Sequence, residues 1–236
     1  MRFQLIVGAL AMMALALGNP TTADTPKERE AAKNALQNFH EYIGAWKGDG
    51  ETKTGKSEFW KEAMSWGWKF SKDGAPALLV EFKDNKTFDK GEVKYLNDKK
   101  KNQLTLTGKD KKEQVFEGEI KQKRLVFTRV DAGSMDKYTL SMFTTNEGAL
   151  FKLEYALQAG GKGLDKKIFE VSSKKEGASI SGGKKNECVV SGGVGTMPVS
   201  YNGKTYYVCC GGCRDAFNES EAAKKKFVEE FEKNKK

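Results

Sequence analysis

The chain reads as mainly β: an antiparallel up-and-down barrel preceded by one helix and followed by a small α+β module built on cysteines. Three observations carry that reading. About nine or ten short alternating runs succeed one another between Trp46 and Val171, with no helix between them long enough to cross over between parallel strands. Turn residues close the runs, as at Asp73-Gly74, Asp131 to Gly133 and Asn146 to Gly148. All four cysteines fall in the last 49 of the 236 residues.

At the N-terminus, Arg2 precedes an apolar run from Leu5 to Leu17, followed by small residues and Pro20, the order of a secretory signal. Residues 1–23 are read as that signal, with cleavage after Gly18 or after Ala23. The run is shorter than the roughly 20 apolar residues a spanning helix needs, and no second run follows. The mature protein is therefore expected to be exported, periplasmic or extracellular, without an integral membrane segment. No cysteine follows the apolar run, so a lipid carried on a cysteine there is not expected.

Residues 24–171 are read as a helix plus the barrel. Ala32, Ala35, Leu36, Phe39 and Ile43 recur at three- and four-residue spacing, and Thr25-Pro26 supplies a cap and a first helical residue, so one amphipathic helix is predicted from Pro26 to Tyr42. Between Phe59 and Phe70 alternation sets Trp60, Met64, Trp66, Trp68 and Phe70 against Lys61, Ser65, Gly67 and Lys69, which predicts a long half-buried strand. The pattern returns at Leu78, Val80 and Phe82, at Leu104 and Leu106, at Tyr138, Leu140 and Met142, and at Phe151, Leu153, Tyr155 and Leu157. So many strands leave two long edges unless the sheet closes, which favours a barrel. Its aromatic row is expected to be core, with a small apolar ligand inside as the alternative.

The opening of this region, Leu36, Phe39 and Ile43-Gly44-Ala45-Trp46, is a short helix leading into a G-x-W on the first strand. It resembles the start of lipocalin-like barrels, and more particularly small secreted bacterial barrels of uncharacterised function with an "IGxW" opening. The resemblance implies a lipocalin-like fold over about 130 residues.

Ser172 to Lys185 is polar, glycine-containing and nearly free of large apolar residues; residues 172–186 are read as a linker and 187–236 as the second domain. There Cys188 is followed by 20 residues, then Cys209, Cys210, two glycines and Cys213. Val199 to Tyr201, Asn202-Gly203 and Thr205 to Val208 predict a hairpin before this group. Phe217, Phe227, Val228 and Phe231 predict helix after it, with a break near Asn218 to Ser220. Thiols at the start of a helix ionise more readily, which favours metal ligation.

Residue by residue, Cys188, Tyr201-Asn202-Gly203-Lys204-Thr205-Tyr206-Tyr207-Val208-Cys209, Cys213 and Phe217 resemble the YHS/TRASH heavy-metal-binding modules. These share a first cysteine, a "Y-x-G-K-x-Y-Y-F-C" hairpin, a C-x3-C knuckle and a later phenylalanine. The resemblance implies a treble-clef or zinc-ribbon-like knuckle with Cys188, Cys209 and Cys213 as metal ligands; Cys210 matches a variable position of the pattern, where a thiol could complete four-fold coordination. The chain departs from the pattern at Val189, where proline is common, and Met197 is its nearest match to a methionine found near the first cysteine in some members.

Four thiolates about 2.3 Å from a centre suit zinc, and fewer soft thiolates suit cuprous copper; both stay open. Two disulfides are the competing reading, because an exported chain with an even cysteine count meets an oxidising compartment. Thiol–disulfide redox chemistry by Cys210 and Cys213 is the other, though the flanking βαβ pattern is missing. His40, the single histidine, is read as a packing or surface residue.

The net charge of +9 is almost all lysine, with 5 arginines among 41 basic residues, which argues against nucleic acid as a partner. No phosphate loop or Ser/His/Asp set can be assembled, so no enzymatic activity is expected. The expectation is an exported, non-enzymatic binder of zinc or a copper-like metal, for sensing, scavenging or delivery. The alternative is an apolar-ligand barrel whose module holds structural zinc.

Overall fold

The computed structural model describes residues 24–72, 74–121, 124–146, 148–176 and 186–234. The signal segment and most of the predicted linker lie outside these residues, as do Asp73 and Glu147 of two predicted turns. Helix α1 spans Pro26–Leu36. It begins in a capping box: Glu28 N–H donates to Thr25 Oγ1 at 3.2 Å, and Thr25 N–H donates to the Glu28 carboxylate at 2.8 Å. The chain then tightens into a 3-10 turn over Gln37–Tyr42 instead of continuing as α-helix. The tighter pitch stacks positions three apart, so Phe39 and Tyr42 both enter the core.

Ten antiparallel strands follow in chain order: β1 Gly44–Thr52, β2 Phe59–Lys69, β3 Ala77–Lys83, β4 Phe88–Leu96, β5 Lys101–Gly108, β6 Glu113–Lys121, β7 Arg124–Val130, β8 Lys137–Thr145, β9 Leu150–Gln158 and β10 Lys166–Lys175. Each pairs with its neighbour, and β10 pairs with β1, running from Trp46↔Lys175 to Thr52↔Phe169, so the sheet is a closed barrel. Closure leaves no long edge to aggregate. Strand β10 runs to Lys175, four residues into the stretch read as linker, because Ser173 turns inward and is buried opposite Gly48.

The interior is filled by side chains. Trp46, Trp66, Phe88, Phe116, Phe127 and Phe151 are each at most 2% exposed. Leu36, Phe39 and Tyr42 join the same core and close one end of the barrel. Trp46 Nε1 donates to the Tyr42 carbonyl at 2.7 Å, and Tyr42 Oη donates to the Met142 carbonyl at 3.1 Å, which ties the 3-10 turn to the strands.

The module comprises β11 Asn186–Glu187, β12 Val194–Gly195, β13 Met197–Tyr201, β14 Lys204–Val208, α2 Gly211–Asn218 and α3 Glu221–Asn234. Asn202 and Gly203 both have positive φ, 48° and 74°, as the primed turn of the β13–β14 hairpin requires. The predicted helix break falls between α2 and α3, where the Ser220 hydroxyl accepts from Ala223 N–H at 3.0 Å. Phe231 of α3 packs edge-on to Tyr206, ring centroids 6.2 Å apart, which folds the last helix back on the hairpin. Among the described residues, no helix is long and apolar enough to cross a membrane.

Candidate metal centre

Each cysteine is delivered by a different local device. Cys188 heads the loop between β11 and β12, where its N–H donates to the Gly193 carbonyl at 2.6 Å and Gly192 N–H returns to the Cys188 carbonyl at 2.8 Å. The loop closes because Gly192 adopts φ +78°, a conformation side chains resist. A bridge from Cys188 to Tyr207 then locks this loop to β14. Cys209 and Cys210 leave the end of β14. Cys210 is the N-cap of α2, its carbonyl accepting from Arg214 N–H at 3.0 Å, and Cys213 stands in the first turn.

These devices converge. The sulfurs of Cys188, Cys209 and Cys213 all lie within 4.8 Å of one another, and Cys210 Sγ is 3.9 Å from Cys209 Sγ. Cys209 and Cys213 Sγ are 3.5 Å apart. A tetrahedral centre with metal–sulfur bonds of about 2.3 Å has sulfur–sulfur edges of about 3.8 Å, so the grouping of Cys188, Cys209 and Cys213 can accommodate one ion. They are far beyond the roughly 2.05 Å of a disulfide, and all four cysteines are free thiols. None is more than 8% exposed.

Second contacts orient the sulfurs. Ser191 N–H donates to Cys188 Sγ at 3.4 Å, and Ser191 Oγ lies 3.3 Å from Cys209 Sγ. Trp68 N–H, from the barrel, donates to Cys210 Sγ at 3.3 Å. Hydrogen bonds from Cys209, and then from Cys213, hold the Cys188 and Cys210 thiols far below their usual range. The same contacts push Cys209 and Cys213 far above it, since each bears a proton beside a thiolate. Closely spaced thiols in a buried space are a donor set that a soft or borderline cation stabilises.

The structure brings Cys188, Cys209 and Cys213 together and sets the Cys210 thiol beside Cys209. His40 also proves to be close. Its ring packs against Trp68, centroids 6.2 Å apart, and a Cβ at Gly193 would lie 3.3 Å from its Cγ. It thus flanks the Cys188 loop, with burial lowering its pKa. Ser191 was legible in principle, because an amide three residues past a cysteine is in reach of its sulfur in a glycine-closed turn. Trp68 was not, since its contribution is a main-chain N–H that any residue carries.

The fold and site define a closed ten-stranded antiparallel barrel carrying a buried cluster of three cysteine thiols that could hold a metal ion, with a fourth thiol beside it. No protein-family model matches the chain, and no curated protein matches it. Among solved structures, it is similar to Rv2717c from M. tuberculosis, with a TM-score of 0.40 and 10% identity, covering 60% of this chain and 97% of that one.

Proposed function

We propose that the protein is an exported, non-enzymatic metal binder that holds zinc or a copper-like ion on Cys188, Cys209 and Cys213, with Cys210 as fourth thiolate, in a module of YHS/TRASH type. The observation that carries this is the convergence of three buried free thiols, Cys188, Cys209 and Cys213, within 4.8 Å of one another, with the Cys210 thiol 3.9 Å from Cys209 Sγ. Four thiolates favour zinc over cuprous copper, which takes fewer. Their burial favours firm retention, as in scavenging, over ready hand-over. Export rests on the signal-like run from Leu5 to Leu17.

Native mass spectrometry of the reduced mature protein tests the reading. One zinc per chain is expected, lost in Cys188→Ser and in Cys213→Ser. A chain lighter by four hydrogens and free of metal would replace the metal site with two disulfides. N-terminal sequencing of the exported protein should begin at residue 19 or 24 if the signal is removed as expected.

A further inference from the structure

Strand β2 is eleven residues long, but β1 pairs with it only as far as Gly44↔Trp66. From Gly67 to Lys69 the β1 side of β2 has no strand partner among the described residues, although β3 still pairs on the other side through Lys69↔Ala77. Such an edge needs a cover. The N-terminus of α2 supplies it. Trp68 N–H donates to Cys210 Sγ at 3.3 Å, and a Cβ at Gly212 would lie only 1.6 Å from the Trp68 carbonyl oxygen. Gly67, facing outward between the buried Trp66 and Trp68, leaves Cys210 just enough room: a Cβ there would sit 3.8 Å from its sulfur.

The Cys188 loop meets the barrel end as well. Gln37 Nε2 donates to the Ser191 carbonyl at 3.4 Å, and His40 packs on Gly193. Both halves of the thiol cluster therefore face the barrel.

We infer that the barrel is the lid of the metal site, and that lifting the module off the β2 edge is the step by which metal enters and leaves. The inference rests on the metal-binding reading. While docked, the thiols are shielded and Cys210 keeps its amide donor from Trp68. Undocking exposes the sulfurs to a competing ligand and removes that donor, and loss of such an outer partner typically weakens a metal site by about 10–100-fold.

The test loads the mature full-length chain with zinc(II) and follows its transfer to excess chromophoric chelator. Gly67→Gln adds bulk to the interface from the barrel side, Gly212→Ala adds it from the module side, and Gly211→Ala is the control. A Cβ at Gly211 meets only the Arg214 guanidinium, at 4.0 Å. Release should quicken by at least about tenfold in Gly67→Gln and Gly212→Ala and stay unchanged in Gly211→Ala. Gly67→Gln leaves the module sequence intact, so it decides the matter even if Gly212→Ala disturbs the fold of the module. Zinc uptake by wild type with wild-type release from Gly67→Gln would overturn the lid alone. A wild-type chain that takes up no zinc would overturn the metal-binding reading and the lid with it.

Discussion

Glu62 points into the barrel from β2 at 3% exposure, on the same face as Trp60, Met64 and Trp66. Trp60 Nε1 and Asn85 Nδ2 both donate to its Oε2, at 3.0 and 2.8 Å, while its Oε1 is buried without a partner. Burial raises its pKa against the lowering effect of those two donors. A carboxyl whose folded pKa exceeds its unfolded one favours the fold below the unfolded value, and that contribution is lost as pH rises through the folded value. Glu62→Gln, which keeps an acceptor, should therefore gain stability relative to wild type as pH rises from 4 to 8 in urea unfolding. Glu62→Ala should lose about 1–3 kcal/mol, because the buried Asn85 amide and the half-buried Trp60 indole N–H are left unpaired. A parallel pH dependence for Glu62→Gln and wild type would show that the carboxyl does not titrate from this buried place. Residue 62 falls on the Trp60–Met64–Trp66 face of β2 by parity; its partner Asn85, in the turn before β4, was not legible, because it is the β2–β3 register, Ala63 opposite Lys83, that brings it 2.8 Å from that carboxylate.

At the scale of elements, strands were the most legible, since period-two alternation states which side chains face inward. Leu78, Val80 and Phe82 of β3 are all buried, as are Leu140 and Met142 of β8. Helical periodicity, by contrast, does not separate an α turn from a 3-10 turn over six residues, so the change after Leu36 was hidden. The outer face of β9 and β10 carries a charge ladder. Lys167 Nζ lies 2.9 Å from both Glu154 and Glu170, and Lys53 Nζ lies 3.3 Å from Glu170. The Lys167 hydrogen bond leads in holding the Glu170 carboxyl down to about 2. Its folded pKa is depressed, so the ladder contributes above the ordinary carboxylate range, and that contribution is lost as pH falls from there toward about 2. Solvent screens the ladder, so Glu170→Gln should cost about 0.2–1 kcal/mol at pH 7. The difference from wild type should shrink steadily as pH falls from 5 toward 2, measured by denaturant unfolding; a pH-independent difference would point to packing instead of charge.

For the molecule as a whole, the sequence separates a barrel from a cysteine module but says nothing of where the one rests on the other. That relation depends on an unpaired stretch of β2 and on bare glycines at 67 and 212, which only three-dimensional register reveals. It also explains how His40, 148 positions before Cys188 in the chain, comes to flank the Cys188 loop. Binding that favours the folded module stabilises it by about 2.7 kcal/mol when free metal stands at 100 times its Kd. Chelation should accordingly speed limited proteolysis within residues 187–234 by about a hundredfold, while a fragment containing β1 to β10 survives; equal cleavage with and without metal would show that the module folds without it. The most direct measurement is X-ray absorption at the zinc edge of the purified, zinc-loaded chain. The account predicts a first shell of four sulfurs at about 2.3 Å. A shell of nitrogen and oxygen atoms would contradict it.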